Sequence, residues 1–451
     1  MPHDFQTVPF DPADAKASLA QLPQTPAVFA LYGADAHAEP YVGRTPNLRG
    51  RLERLLQPSP RHPRRLHLAG LVRRVEWRLT GSEFESLLLQ FELLQNQYGT
   101  KGPDQSIARM HLRHPAFVRY LGGNPYPRIV VTYRPSQREA DWAYGPFPSR
   151  AAAERYAEEA LKLFLLRRCT FDLSPDPSYP GCVYSEMKMC LAPCYKGCTD
   201  ERYAEEAAAV ESFLSTRGES RLVTLRTQRD QASANLEFES AAALHGHVQR
   251  VESVRALASE IVGPLSRLRA IILQPSANPG EVAVFVFENG RLSGPAAFST
   301  IGMRIQNEQS GSTSLFAQPL AIEPIPEEQG AREQATPASE PLGTPAGSEG
   351  AEEQGEENRD QRSEKTSVRA TRTILESRLE SVFSELSGSA EPPSATVRQG
   401  HLALLKRWYY RPEAKRTGEI FFPDAEDRWP IRAILRGVGR VAAEKLKPSN
   451  P

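Results

Sequence analysis

All five cysteines of this 451-residue chain fall between Cys169 and Cys198, separated by gaps of twelve, seven, three and three residues. Random placement does not crowd thiols in this way, and whatever gathers them dictates how the middle of the chain closes on itself. No secretion signal is read in the sequence, so a reducing compartment, the cytoplasm, is expected, and stable disulfides are disfavoured there. Inert buried thiols usually scatter through a core, because free cysteine behaves as a small hydrophobe. A metal centre explains the crowding best. Four thiolates without a neighbouring histidine suit a structural Zn²⁺ or an iron–sulfur cluster. The Cys190-x₃-Cys194 pair is expected to set two sulfurs on neighbouring turns, while Cys169 and Cys182 arrive by loop closure. Long, uneven gaps favour iron–sulfur, with Zn²⁺ as the alternative.

Charge informs through its position. Lys plus Arg equals Asp plus Glu at 55 each, so net charge excludes no class of partner. Between residues 41 and 80, ten arginines meet only Glu53 and Glu76, a candidate phosphate-binding surface. Between 321 and 360, eleven acids meet two arginines. The surrounding Gln, Glu, Ser, Gly and Pro cannot bury enough apolar surface to offset chain entropy, which predicts a disordered spacer. No apolar run approaches the ~20 residues of a membrane helix. The chain reads as α+β and multidomain. Its expected segments are 1–102, a small α/β domain; 103–199, the cysteine domain; 200–262, helical; 263–302, a small β region; 303–368, the acidic linker; and 369–451, a C-terminal α/β region.

Local patterns place the elements. A helix is expected over Ala13–Gln21, then strands Ala27–Tyr32 and Pro40–Gly43 as a hairpin. A basic helix follows, with Thr45 as N-cap and Pro46 at its first position. It is expected to carry Arg44, Arg49, Arg51 and Arg54 around Leu48, Leu52 and Leu55. A strand, Val75–Leu79, leads to Ser82-Glu-Phe-Glu85, a capping box that starts a helix running to about Tyr98. On that helix Gln90 flanks the apolar stripe, while Glu85 and Glu92 share the opposite, outer face. Asn289-Gly290 marks a hairpin turn between Val282–Glu288 and Arg291-Leu292. An amphipathic helix is expected over 369–387. The basic and aromatic run at 407–416 is either a base-stacking surface or, more simply, a core edge.

Several of these stretches together resemble the bacterial excinuclease subunit UvrC. They are Tyr144-Gly-Pro-Phe-Pro-Ser149, Leu163-Phe164, Arg167, Cys169 and Cys190-Leu-Ala-Pro-Cys194. The resemblance implies a [4Fe–4S] cluster on Cys169, Cys182, Cys190 and Cys194, with Cys198 outside the family pattern. Pro26-Ala-Val-Phe29 and Tyr41-Val-Gly-Arg44, with Asn47-Leu48 and Arg51-Leu52, are similar to the two signatures of the GIY-YIG nuclease fold that opens UvrC. By that likeness Tyr41 stands near a nucleophilic water, Arg44 and Arg51 stabilise the phosphate, and Asn47, Arg49 and Arg54 extend the DNA surface. The bland alternative for these arginines is a solvated helix face. The family's metal-binding glutamate falls at Gln90 and its first tyrosine at Phe29, so Mg²⁺ or Mn²⁺ would meet a neutral donor and one phenol is missing.

Leu236-Glu-Phe-Glu239 with Ala241, Ala242 and Leu244 resembles the UVR helical hairpin, which implies a UvrB-like helicase as partner; intrachain helix packing is the plainer alternative. His245-Gly-His247 departs from that motif, and Gly246 weakens the helix by about 1 kcal/mol. No Asp-rich RNase H-like core or helix-hairpin-helix pair is found. The likeness covers about the first 260 residues and implies repair of damaged double-stranded DNA. Two functions follow: an endonuclease cutting on the 3′ side of a lesion, or an adaptor that grips DNA without cutting it.

Overall fold

The computed structural model describes residues 5–35, 38–57, 68–99, 104–301, 303, 373–387 and 393–446. The expected acidic linker lies outside the described residues, Met303 excepted. The mixed helices and antiparallel sheets bear out the α+β reading. No described helix is long and apolar enough to cross a membrane.

The N-terminal body is an antiparallel sheet of β1 (Gln6–Pro9), β2 (Ala27–Gly33), β3 (Tyr41–Thr45) and β4 (Val72–Leu79), in the order β1-β4-β2-β3. The hairpin forms as its alternation predicts, with Phe29 opposite Gly43 and Val28 opposite Arg44. β1 was not expected; its four residues owe their strand form to pairing with β4. The short helix α1 (Ala15–Ala20) and α2 (Leu48–Leu56) pack together under the sheet, where Leu48, Leu52, Leu55 and Leu56 meet Phe29, Leu31 and Trp77. The cap of α2 differs from the expectation. Asn47 is the N-cap, its carboxamide oxygen accepting the Gly50 N–H at 2.8 Å. Thr45 ends β3, buried, its hydroxyl donating to Asn47 O at 3.0 Å. Sheet pairing claims Thr45 before the helix can.

α3 (Glu83–Tyr98) begins where the capping pattern places it, with Ser82 Oγ accepting the Glu85 N–H at 3.1 Å. The box is not reciprocal: the Glu85 carboxylate takes the N–H of Gly81 instead, at 2.8 Å. Phe84 to Leu89 are all buried, so α3 has no free face along its first turns. The outer face expected for Glu85 and Glu92 is an internal one. Glu85 is 5% exposed and lies with Glu92 against Gly294 and Pro295 of the C-terminal sheet.

Beyond α3 come α4 (Gln105–Arg109), β5 (Ala116–Tyr120), β6 (Ile129–Thr132), β7 (Ala143–Phe147) and α5 (Arg150–Leu161), then the one-turn α6 (Val183–Glu186). α7 (Asp200–Ser215), α8 (Glu219–Ala234) and α9 (Phe238–Arg255) are helical as expected; Gly218, at φ 83°, makes the break between α7 and α8. A two-residue β8 (Gly263–Pro264) closes the sheet β6-β5-β7-β8.

The last sheet unites two stretches that the sequence pattern kept apart. β9 (Ala270–Pro275), β10 (Glu281–Glu288) and β11 (Arg291–Ser299) form the expected meander, with Asn289 and Gly290 both at positive φ as a type I′ turn needs. A helix over residues 373–387, α10, packs Leu379, Phe383 and Leu386 on this sheet. α11 (Ala395–Tyr409) follows; then β12 (Glu419–Phe421) pairs with β9, and α12 (Ile431–Leu446) adds Ile434, Val438 and Val441 to the same core. The described parts of 263–302 and 369–451 share one sheet and one core, joined by the pairing of β12 with β9 and by the packing of α10 and α12, which no local pattern encodes.

α11 is the link back to α3. A Cβ at Gly400 would sit 2.0 Å from Phe91 Cζ, so the helices touch backbone to ring. His401, fully buried, accepts the Leu292 N–H through Nδ1 at 2.9 Å. Burial first, then Arg291, hold its pKa to about 3 against an ordinary 6.5. The imidazole stays neutral in the fold while the unfolded chain takes up a proton below 6.5. Its contribution is therefore complete above 6.5 and is lost at about 1.4 kcal/mol per pH unit as pH falls towards 3. Denaturant titrations of the wild type and His401→Gln across that interval should show a steeper acid loss in the wild type; parallel curves would contradict this account.

Candidate functional site

β3 is an edge strand, and its alternation divides the expected phosphate site between two faces. On the α2 side, Phe29 is fully buried with its ring across Gly43, where a Cβ would lie 2.7 Å from Phe29 Cζ. Tyr41 stands beside it, ring centroids 6.1 Å apart, and Arg51 Nη2 donates to the Tyr41 hydroxyl at 3.4 Å. On the other side, Val42 packs into the core that contains α3, and Arg44 reaches Glu83 at 3.4 Å. The strand thus presents Tyr41–Arg51 and Arg44 on either side of one edge.

The other expected DNA contacts separate into free and engaged groups. Asn47 is spent as the α2 cap. Arg49 donates from Nε to Leu22 O at 2.6 Å and ties α2 to the preceding loop. Arg54 is exposed, its Nε on Gly50 O at 2.8 Å, and lies one turn from Arg51 on the same helix face. Arg44, Arg51 and Arg54 remain as outward charge.

Gln90 sits two turns along α3 from Glu83, half-buried, and its carboxamide has no hydrogen-bond partner among the described residues. Glu83 is the acid nearest the edge, and it is occupied: both Nη atoms of Arg411 donate to it at 2.8 Å. These bonds from Arg411 hold its carboxyl below the usual range against the opposing effect of burial, with Arg44 and Arg407 assisting. Arg411 was not expected here. The signal lay in the basic run at 407–416, but nothing local says that this run returns to α3. An amide and a doubly paired carboxylate make a poor donor set for a hard cation. The residues present do not fit a divalent metal.

Four of the five thiols form the second site. The turn around Cys190 and Cys194 is not helical as expected: Ala192 between them is left-handed at φ 55°, followed by a single 3₁₀ turn at Pro193–Tyr195. This geometry turns backbone amides towards sulfur. Ala192 N–H donates to Cys190 Sγ at 3.3 Å, and Cys194 accepts from its own amide and that of Tyr195. Cys182 opens α6, its N–H held by Ser185 Oγ at 3.0 Å. Burial above all pushes the Cys190 thiol up to about 11, and Cys169, Cys194 and Cys182 add to it. Burial likewise raises Cys194, with Cys182 and Cys169 contributing. Cys198 is raised by its burial and by Asp200, not by the other thiols. The four expected ligands thus influence one another electrostatically, and Cys198 is influenced by Asp200 and Arg202 instead. All five are free thiols.

Among the described residues, no three His, Cys, Asp or Glu side chains converge tightly enough to hold a single ion. Arg167 supplies a chemical test of what the thiols suit. It is 1% exposed, bonded to Tyr126 O and Phe171 O at 2.9 Å each, and its Nη1 points at Cys169 Sγ at 3.5 Å. It pairs with no carboxylate among the described residues, and its Nη2 is buried without a partner. A buried cation requires a counter-charge, and ionised thiols would provide it. The donor set fits an anionic, thiolate-bound centre.

The third expected site is the tip of the α8–α9 hairpin. Leu236, left-handed at φ 64°, is 72% exposed and Phe238 66%. Ala242 is exposed with them, while Ala241 and Leu244 are half-buried on the side of the hairpin interior. The apolar seam is thus narrower than expected.

Residues 117–213, from β5 through α7 and including every cysteine, match the family model "UvrC/Cho excinuclease, middle domain". Relatives described as UvrABC system protein C extend the likeness. That of Alcanivorax borkumensis is 27% identical over 63% of this chain and 46% of its own length. That of Desulforudis audaxviator is 29% identical over 68% and 51%, and that of Escherichia coli O1:K1 29% over 54% and 39%. The chain spans about half or less of the length of these relatives. No solved structure matches it significantly.

A Cβ at Gly246, in the middle of α9, meets nothing within 4 Å. Gly246→Ala should therefore raise stability by about 1 kcal/mol, read as a shift in denaturation midpoint; a loss would show that the glycine is required for packing.

Proposed function

Because the chain carries the UvrC/Cho middle domain and is UvrC-like over more than half its length, we propose that it is a DNA-binding protein of nucleotide excision repair. Its N-terminal GIY-YIG-like domain grips a phosphodiester rather than cutting it. The observation that carries this reading is the pair of α3 side chains at the strand edge. Gln90 offers an amide where a carboxylate would hold a metal, and Glu83 is clamped by Arg411 and Arg44. Arg51 beside Tyr41, with Arg44 and Arg54, supplies guanidinium donors to backbone phosphate, the sequence-independent part of DNA affinity.

In the middle domain, Cys169, Cys182, Cys190 and Cys194 hold a [4Fe–4S] cluster, with Zn²⁺ as the alternative; the uneven cysteine spacing favours iron–sulfur, and Arg167 and the N–H···S bond at Cys190 support a thiolate-bound centre. The cluster would fix the loop between α5 and α7 and give it a redox-sensitive charge. Leu236, Phe238 and Ala242 at the hairpin tip are the surface for a UvrB-like helicase, an apolar helical seam awaiting a matching one.

A second reading, the endonuclease, is favoured by the Arg51–Tyr41 contact, which sets a phenol oxygen beside a guanidinium, a pair that in-line phosphodiester hydrolysis could use. The two readings separate in a nicking assay on a damaged duplex with Mg²⁺ or Mn²⁺. The clamp binds the duplex without cutting, and Gln90→Glu confers or raises metal-dependent nicking. Wild-type nicking that falls by about 100-fold in Arg51→Ala and also fails in Tyr41→Phe would establish the enzyme instead. For the thiol centre, protein purified without oxygen should be brown with broad visible absorption, and Cys190→Ala should lose it. Colourless protein with stoichiometric zinc would decide for Zn²⁺.

A further inference from the structure

The arginines at the end of α11 go beyond the clamp of Tyr41, Arg51 and Arg54. Arg407 and Arg411 lie one turn apart and flank Trp408, which is 3% exposed and anchored by its Nε1–H on Thr417 O at 3.0 Å and by Phe84 at 5.4 Å between ring centroids. With Gly400 against Phe91, this holds the end of α11 rigidly over the start of α3. The result is a cluster made by residues more than 300 positions apart: Arg44 from β3, Glu83 from α3, Arg407 from α11 and Arg411 just past its end.

The cluster does not balance. Arg44 and Arg411 share one carboxylate and Arg407 lies one turn before Arg411, so that among these four groups two positive charges are left over. Arg411 spends both Nη atoms on Glu83. Arg44 shares the same carboxylate at 3.4 Å. Arg407 has no hydrogen bond or ion pair among the described residues, yet it is half-buried, and burial followed by Arg44 pulls its pKa below the ordinary arginine value, with Glu83 opposing and Arg411 adding to the repulsion. The negative end of the α11 dipole is worth only about half a charge, too little to offset two. A protein that holds like charges together in this way has a place for an anion. Planar guanidinium forks bind phosphate bidentately, and the patch adjoins the Arg44 face of the β3 edge.

We propose that Arg44, Arg407 and Arg411 form a second phosphate seat, built jointly by the N-terminal sheet and the C-terminal helix, for a nucleic-acid backbone phosphate neighbouring the one at Tyr41 and Arg51. This rests on the DNA-binding reading and deepens it: the footprint crosses from the N-terminal domain onto α11, so the C-terminal region is part of the DNA surface. Glu83 acts as a positioning residue that fixes Arg411 and keeps Arg44 beside it.

The test uses the full chain and labelled duplex DNA, with affinity measured over a salt series. Arg407→Gln should weaken binding and reduce the slope of log affinity against log salt by about 0.9, the loss of one phosphate contact, while Arg407→Lys keeps the slope. Arg155→Gln, on the exposed side of α5, controls for removal of a positive charge elsewhere and should leave the slope unchanged. A second arm needs no DNA: inorganic phosphate should raise the melting temperature of the wild type more than that of Arg407→Gln. If the wild type ignores DNA but phosphate still distinguishes the two proteins, the seat stands and the DNA reading falls. Equal salt slopes together with equal phosphate shifts overturn the seat.

Discussion

A helix that is apolar on every side cannot rest against one neighbour. α3 buries Phe84, Leu87, Leu88, Leu89, Phe91, Leu94 and Tyr98, and each such side chain favours burial by roughly 1.5–3 kcal/mol. An N-terminal sheet alone covers one stripe. The rest must be covered from outside the domain, and α11 and the C-terminal sheet do so. Gly81, at the entry to α3, lies so close to that sheet that a Cβ would fall 2.2 Å from Pro275 O. The domain is therefore closed by the far end of the chain, and the arginines of α11 come to the phosphate edge as a consequence of core packing.

That closure shapes the chemistry. Glu83 acquires Arg411 as a bidentate partner, which removes the acid that Arg44 meets from service as a cation ligand. Gln90, two turns along, brings an amide. Positive charge thereby exceeds negative at the strand edge although the chain as a whole is neutral. Guanidiniums in excess suit a phosphate better than a hard cation, which is what supports the proposed clamp.

The thiol loop follows a different physics. Its residues bury little apolar surface; Phe171, Val183 and Met187 are exposed. Its shape is carried by left-handed residues at Lys188, Ala192 and Lys196 and by amides aimed at sulfur. Such a loop contributes little to its own stability, and an inorganic centre shared by four thiols would supply what packing does not. Arg167, buried beneath it with no acid partner among the described residues, would be offset by the negative charge of such a centre.

Elements whose causes are local were legible in the chain itself: the β2–β3 hairpin from alternation, the start of α3 from Ser82, the type I′ turn from Asn289-Gly290, the α8–α9 hairpin from helical spacing. The crowding of the cysteines is likewise read directly from the chain. What required the tertiary structure is what depends on pairing across distance. Thr45 lost its capping role to the sheet, Glu85 was taken inside by the C-terminal strands, β12 joined β9 across the acidic stretch, and Arg407 and Arg411 reached α3. The physical reason is the same each time: turn and cap preferences act over a few residues, whereas the partner of a buried face or an edge strand is chosen by the whole chain, and no window of sequence contains it.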